Sequence, residues 1–304
     1  MVILMRLRQL DNIAKFDLTA VEKSGDPEAI TTQLLNINSI QRDKRIRYPR
    51  ASGIYKDCMR CYAIGNLYKA KAKEYIPFAR QVTFDIGNAV HRWLQNSPDY
   101  YGEQRVGYWK CLSCNHITHF SRPRATPCDR CGANSSAFEY SETLLILKDP
   151  YNISGHPDLF LDTAHAKGKI RIVEFKTIDG DKFNSLRAPL VEHVWQVNAY
   201  MWMCHEDPVQ IPAKIDTKVS YVVYISKKEK QGTLPIKTYL VKRNPEIITE
   251  IKQKLEIFNT AIKTKTLPPP YLECIKTGFN SWTSKFCPLK EKCKEIFAAD
   301  CKKR

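Results

Sequence analysis

Two short, mainly apolar runs, Gly155–Asp162 and Lys169–Lys176, are separated by a short polar turn. Short apolar runs bounded by polar turn residues predict a pair of strands. Successive side chains point to opposite faces, so Ile170, Ile172, Glu174 and Lys176 share one face, and Arg171, Val173 and Phe175 the other. Upstream, Leu144–Leu147 and the turn Asp149-Pro150-Tyr151-Asn152 predict a hairpin whose returning strand carries Asp158. Two more strands are predicted over Lys218–Ser226 and Pro235–Lys242, joined by the charged loop Lys227–Thr233.

Helical spacing appears in five places. Pro27–Gln41 places Ile30, Leu34 and Ile37 on one side, and the basic run Arg42–Arg47 after it reads as a solvated linker. Ser52 can cap a helix running through Cys58 and Cys61 to Ile64. Phe84, Val90 and Leu94 mark a third helix, in which Gly87 permits close packing. Leu190, Val194, Val197, Met201 and Cys204 stripe a fourth, from about Leu186 to His205. Asn244 and Pro245 open a fifth, expected to lay Ile247, Ile251, Leu255, Phe258 and Ile262 on the sheet before Pro268-Pro269-Pro270 ends it.

Composition narrows the class. The 304 residues are 43% hydrophobic and 11% aromatic, enough to bury a sizeable core. Forty-eight basic against 32 acidic residues leave a net charge of +16, as expected of a protein that meets nucleic acid, although a solvated basic surface or an anionic membrane would also accommodate it. No apolar run approaches the roughly 18–20 residues of a membrane span. The opening Met-Val-Ile-Leu-Met is too short for a signal peptide. The expected location is therefore intracellular, in the cytoplasm of a prokaryote or of a virus-infected cell. Eleven cysteines in such a compartment point to metal rather than disulfides.

Two sets of residues carry candidate chemistry. The end of the Lys169–Lys176 strand places Glu174 and Lys176 side by side, roughly 6–7 Å apart along the backbone. With Asp158 on the neighbouring strand, two carboxylates can share a divalent cation, while the lysine holds a water or a charged transition state. Those groups suffice for metal-assisted phosphodiester hydrolysis, although each is also common on solvated surfaces. The second set is Cys111-x-x-Cys114 and Cys128-x-x-Cys131, separated by 13 residues. Two such knuckles wrap one tetrahedral Zn²⁺ and leave no open ligand position, which makes the metal structural. The intervening loop, Asn115–Pro127, is basic and can display Arg122 and Arg124.

Gly155-x-x-Asp158, Glu174-Phe175-Lys176 and the later Gln196-x-x-x-Tyr200 together resemble the PD-(D/E)XK nuclease superfamily, in particular its RecB-like branch. That branch includes the iron–sulfur exonucleases of CRISPR adaptation and recombinational repair. The resemblance, from about residue 50 to the end, implies an α/β fold: a restriction-endonuclease-like central mixed sheet flanked by helices. It implies a nuclease core over 51–105 and 140–265, following an N-terminal arm over 1–50. A zinc ribbon is inserted at 106–139, and a cysteine-rich tail runs over 266–304. By the same resemblance His91, four residues after Gly87, joins Asp158, Glu174 and the Phe175 carbonyl in holding Mg²⁺ or Mn²⁺. Lys176 then helps activate water, and Gln196 and Tyr200 orient substrate phosphates.

Cys58-x-Arg60 matches the segment that supplies one thiolate to a 4Fe–4S cluster closed by the C-terminal tail. Cys287 and Cys293 match the end of that pattern, but Ser284 stands where many relatives have cysteine. The fourth thiolate then comes from Cys274, with Cys61 and Cys301 as alternates; zinc on the same thiolates is the rival. The implied activity is exonucleolytic cutting of single-stranded DNA ends in replication, recombination or repair. An inactive DNA-binding or recruitment module using the ribbon is the alternative. No G-x-x-x-x-G-K-S/T phosphate loop occurs, so a helicase or recombinase would be a separate partner.

Overall fold

The computed structural model describes residues 39–45, 48–97, 102–123, 126–163, 169–228, 235–281, 284 and 287–302. The helix expected over Pro27–Gln41 lies mostly outside them, and its last three positions belong instead to strand β1, Ser39–Arg45. The basic run is likewise paired rather than free, since β1 forms an antiparallel ladder with β2, Lys71–Pro77.

Helix α1, Met59–Leu67, begins six residues later than the Ser52 cap suggests; residues 51–56 form turns, and Cys58 itself is the N-cap. Buried positions run all around this helix, from Met59 to Gly65, so it is enclosed rather than amphipathic. Helix α2, Phe78–Asn96, follows β2 directly and carries Gly87 and His91. A Cβ at Gly87 would meet Thr177 Oγ1 at 3.1 Å, which accounts for the glycine where α2 crosses the sheet.

The central sheet is assembled from β3 (Arg105–Val106), β8 (Leu159–Asp162), β9 (Ile170–Ile178), β10 (Val219–Ser226) and β11 (Ile236–Lys242), in the order β11-β10-β9-β8-β3. Only β9 and β10 run parallel. Between β3 and β8 lie two small hairpins. One pairs β4 (Tyr108–Cys111) with β5 (Phe138–Ser141), and the other pairs β6 (Leu145–Leu147) with β7 (Ile153–Gly155). The Leu144–Leu147 run therefore does not return on the Asp158 strand as expected; β7 intervenes, and Gly155–Asp158 carries the chain onward into the central sheet.

The two faces of β9 sort the core. Val173 and Phe175 pack with Leu94 of α2, Trp109 and Tyr140, whereas Ile172 packs with the helices on the other side. Those helices are α4, Val191–Glu206, and α5, Pro245–Thr264; a short α3, Gly180–Ser185, precedes α4. Asn244 caps α5 by accepting from the Glu246 and Ile247 N–H groups. Helix α5 packs mainly on α1 and α4 rather than on the sheet, so its buried stripe is Ile248, Ile251, Leu255, Phe258 and Ala261, with Ile247 and Ile262 only partly covered. The tail adds α6, Leu272–Lys276, and α7, Lys290–Lys302; α7 returns to α1. No helix of the described residues is long and apolar enough to cross a membrane.

Candidate active site and metal centres

The β8–β9 ladder pairs Leu159 with Val173, so the next position outward sets Asp158 opposite Glu174. In an antiparallel pair, directly opposed side chains leave the same face. The Phe175 N–H, immediately after Glu174, donates to Asp158 Oδ2 at 2.7 Å and pins the aspartate there. Both carboxylates are buried, Asp158 at 7% exposure and Glu174 at 2%. Glu174 Oε1 accepts from Lys176 Nζ at 2.6 Å and from Gln196 Nε2 at 2.7 Å. Its other oxygen, Oε2, is buried without a hydrogen-bond partner.

Helices from both faces of the sheet meet at this end. From α2, His91 Nδ1 lies 3.4 Å from Asp158 Oδ1. From α4, Gln196 Nε2 bridges Glu174 and the Tyr200 hydroxyl (2.9 Å), which itself donates to the His156 carbonyl at 2.9 Å. Tyr200 is fully buried, and its ring explains Gly155: a Cβ there would sit 2.5 Å from Tyr200 Cε1. Two residues outside the expected set also converge. Gln95 Nε2 donates to Glu142 Oε1 (2.9 Å) and to the Asp158 carbonyl (2.7 Å). The signal for Gln95 was its spacing, one helical turn past His91.

The electrostatics follow from the crowding. Burial and then the Asp158 charge push the Glu174 carboxyl well above the usual carboxylate range, against the pull of Lys176. Burial disfavours a charged His91, but its contact with Asp158 prevails and raises it. Lys176 is likewise raised, the Glu174 and Asp158 charges outweighing its burial. A divalent cation between these carboxylates would reverse the penalty on Glu174, and the orphaned Oε2 fits such an ion.

The four ribbon thiols form a second centre. Their sulfurs all lie within 4.8 Å of one another, with Cys111–Cys131 at 3.7 Å and Cys114–Cys128 at 3.8 Å. Zn–S bonds of about 2.3 Å in a tetrahedron give sulfur separations of about 3.8 Å, so the donor set fits one zinc. Each knuckle turns through a left-handed residue, Asn115 (φ 60°) and Gly132 (φ 72°), residue types that tolerate it. Arg122 is 56% exposed and its Nη2 pairs with Asp162 Oδ2 at 2.5 Å; Arg124 lies outside the described residues.

A third centre joins the two ends of the chain. Cys58 and Cys61 from α1, Cys274 from α6, and Cys287 and Cys293 at the start of α7 line one cavity, together with Arg60 and Ser284. Cys301 is exposed on the last turn of α7 and does not line it. Ser284 is buried and donates to the Ser281 carbonyl at 3.0 Å. Cys61 contacts Cys287; as a hydrogen-bond donor it draws the Cys287 thiol down to about 7 against burial. Among the described residues, only the ribbon cysteines form a group of three or more ligand atoms close enough for a single ion.

A central mixed sheet flanked by helices, with carboxylates and a lysine gathered where β8 begins and β9 ends, is the arrangement of a nuclease fold. A model of the PD-(D/E)XK nuclease superfamily matches residues 53–294, and the chain belongs to that superfamily. Among solved structures, an alkaline exonuclease (LHK-Exo) from Laribacter hongkongensis is similar with a TM-score of 0.41 and 11% identity, over 77% of this chain and 94% of that one. LHK-Exo in complex with dAMP gives a TM-score of 0.38 and 12% identity, over 78% and 96%. No curated protein matches the sequence.

Proposed function

We propose that the protein is a metal-dependent deoxyribonuclease that degrades single-stranded DNA from its ends, in replication, recombination or repair. The observation that carries this reading is the orphaned Glu174 Oε2, buried across from Asp158 and beside a charged lysine. A buried carboxylate oxygen without a partner costs about 1–3 kcal/mol or more, which a divalent cation relieves. His91, Asp158, Glu174 and the Phe175 carbonyl would hold the Mg²⁺ or Mn²⁺, which would supply a bound water of lowered pKa and stabilisation of charge on the phosphorus oxygens. Lys176, held by Glu174 yet still 21% exposed, would orient the attacking water beside the two carboxylates. Gln196 and Tyr200, both buried, act on the scissile strand indirectly, by fixing Glu174. The net charge of +16 supports a polyanionic substrate.

In the same reading the ribbon carries a structural zinc. The tail cavity carries a 4Fe–4S cluster on Cys58, Cys274, Cys287 and Cys293, with Cys61 as a contacting thiol. Five thiols around one cavity, not gathered closely enough to count as a single-ion group, support a cluster over a single zinc. Any helicase or recombinase is a separate chain.

End-labelled single-stranded DNA with and without Mn²⁺ tests the activity. Asp158→Ala and Lys176→Ala should each slow degradation by about 100-fold or more while leaving the circular-dichroism spectrum unchanged. Parental rates in Lys176→Ala would refute the site. DNA binding without any metal-dependent cutting by the parent protein would favour the recruitment module instead.

A further inference from the structure

Arg60 is buried at 4% exposure, yet its guanidinium has no carboxylate partner among the described residues. Its Nε donates to Cys293 Sγ at 3.2 Å and its Nη1 to the Pro268 carbonyl at 2.5 Å. The remaining nitrogen, Nη2, is buried with no hydrogen-bond partner. Arg60 lines the same cavity as five cysteines. A guanidinium stays charged at any working pH, and burying a cation away from any counter-charge is strongly unfavourable. The other cation lining the cavity, Lys290, is 27% exposed, 4.0 Å from Glu291 and 3.5 Å from Asn280 Oδ1, and its charge also acts on the Cys287 thiol. Arg60 is therefore the buried positive charge of the cavity with a donor to spare, which suits an anionic, sulfur-rich group.

We propose that Arg60 is the hydrogen-bond donor and fixed counter-charge of the iron–sulfur group in this cavity, raising its reduction potential and retaining it in the protein. This rests on the cluster reading above. Thiolate-ligated clusters carry net negative charge that grows on reduction, so a nearby cation and N–H···S bonds favour the reduced state. Nε and Nη1 fix the planar fork in place, which leaves Nη2 as a donor that lysine cannot reproduce.

The test uses the full-length protein purified without oxygen. Iron, sulfide and zinc are determined first: zinc in the cavity without iron would sink the cluster reading, and this inference with it. With the cluster present, redox titration of the parent, Arg60→Lys and Arg60→Gln should show a lower potential in both variants, the larger drop in Arg60→Gln. Chelators should also strip iron several-fold faster from each. A cluster-containing variant with the parental potential would overturn the role of Arg60 while sparing the cluster itself. Should neither variant assemble a cluster, the parent protein made with 15N-labelled arginine decides. Pulsed electron paramagnetic resonance of its reduced form should show 15N coupling, and its absence would overturn the proposal.

Discussion

The two cysteine centres are built in opposite ways. The ribbon draws four thiols from 21 consecutive residues, Cys111 to Cys131, on two knuckles of the same design. The tail cavity draws its thiols from Cys58 at one end and Cys293 at the other, with the whole nuclease core between them. Closing a short loop costs little chain entropy, and its ligands can be recognised by spacing alone. Closing a loop of more than 200 residues repays much more stability, but only the folded sheet brings the ligands together.

The largest expected effect follows from that difference. Cys58→Ser should release the tail, with loss of iron and a fall in stability on the order of 4 kcal/mol in denaturant titration, as for a cross-link closing a very long loop. Cys128→Ser should cost less, about 1–2 kcal/mol, with loss of zinc but retained DNA degradation, because the ribbon meets the core through a few side chains such as Trp109, Phe120 and Tyr140. Equal losses in the two variants would erase the contrast.

The candidate active site is non-local like the tail cavity, and two smaller changes probe how tightly it is held. Gly155→Ala should destabilise by about 2 kcal/mol and lower activity, since the new methyl group meets the Tyr200 ring. Tyr200→Phe removes a single hydroxyl bonded to Gln196 and His156, and should cost about 1 kcal/mol with a modest rate loss. Thermal melts paired with single-turnover rates would check both. A Tyr200→Phe protein with a hundredfold loss of rate and unchanged stability would place that hydroxyl on the substrate.

Legibility tracked locality. The strands over 219–226 and 236–242 and the Asn244 cap were readable because alternation and capping act over a few residues. The start of α1 was misplaced because Ser52 is a competent cap and no local feature says that the chain first turns through Gly53 to Asp57. The packing partner of α5 was missed for a related reason: an apolar stripe states that a face is buried, not against what.

The candidate site divides in the same way. Gly155, Asp158, Glu174, Lys176, Gln196 and Tyr200 stand out in the chain as a pattern of residue types. That Gln95 ties Asp158 to Glu142, and that one Glu174 oxygen is saturated while the other has no partner, depends on helices packed from opposite faces of the sheet.

The amino-acid order alone thus determined the strand faces, the paired Cys-x-x-Cys knuckles and the identities of the acidic and basic groups, because these depend on period and spacing. Tertiary structure decided that Cys61 enters the tail cavity while Cys301 does not, that Arg122 pairs with Asp162, and that Arg60 is buried among thiols without a carboxylate. Those outcomes depend on which surfaces exclude water together, and no short stretch of chain encodes them.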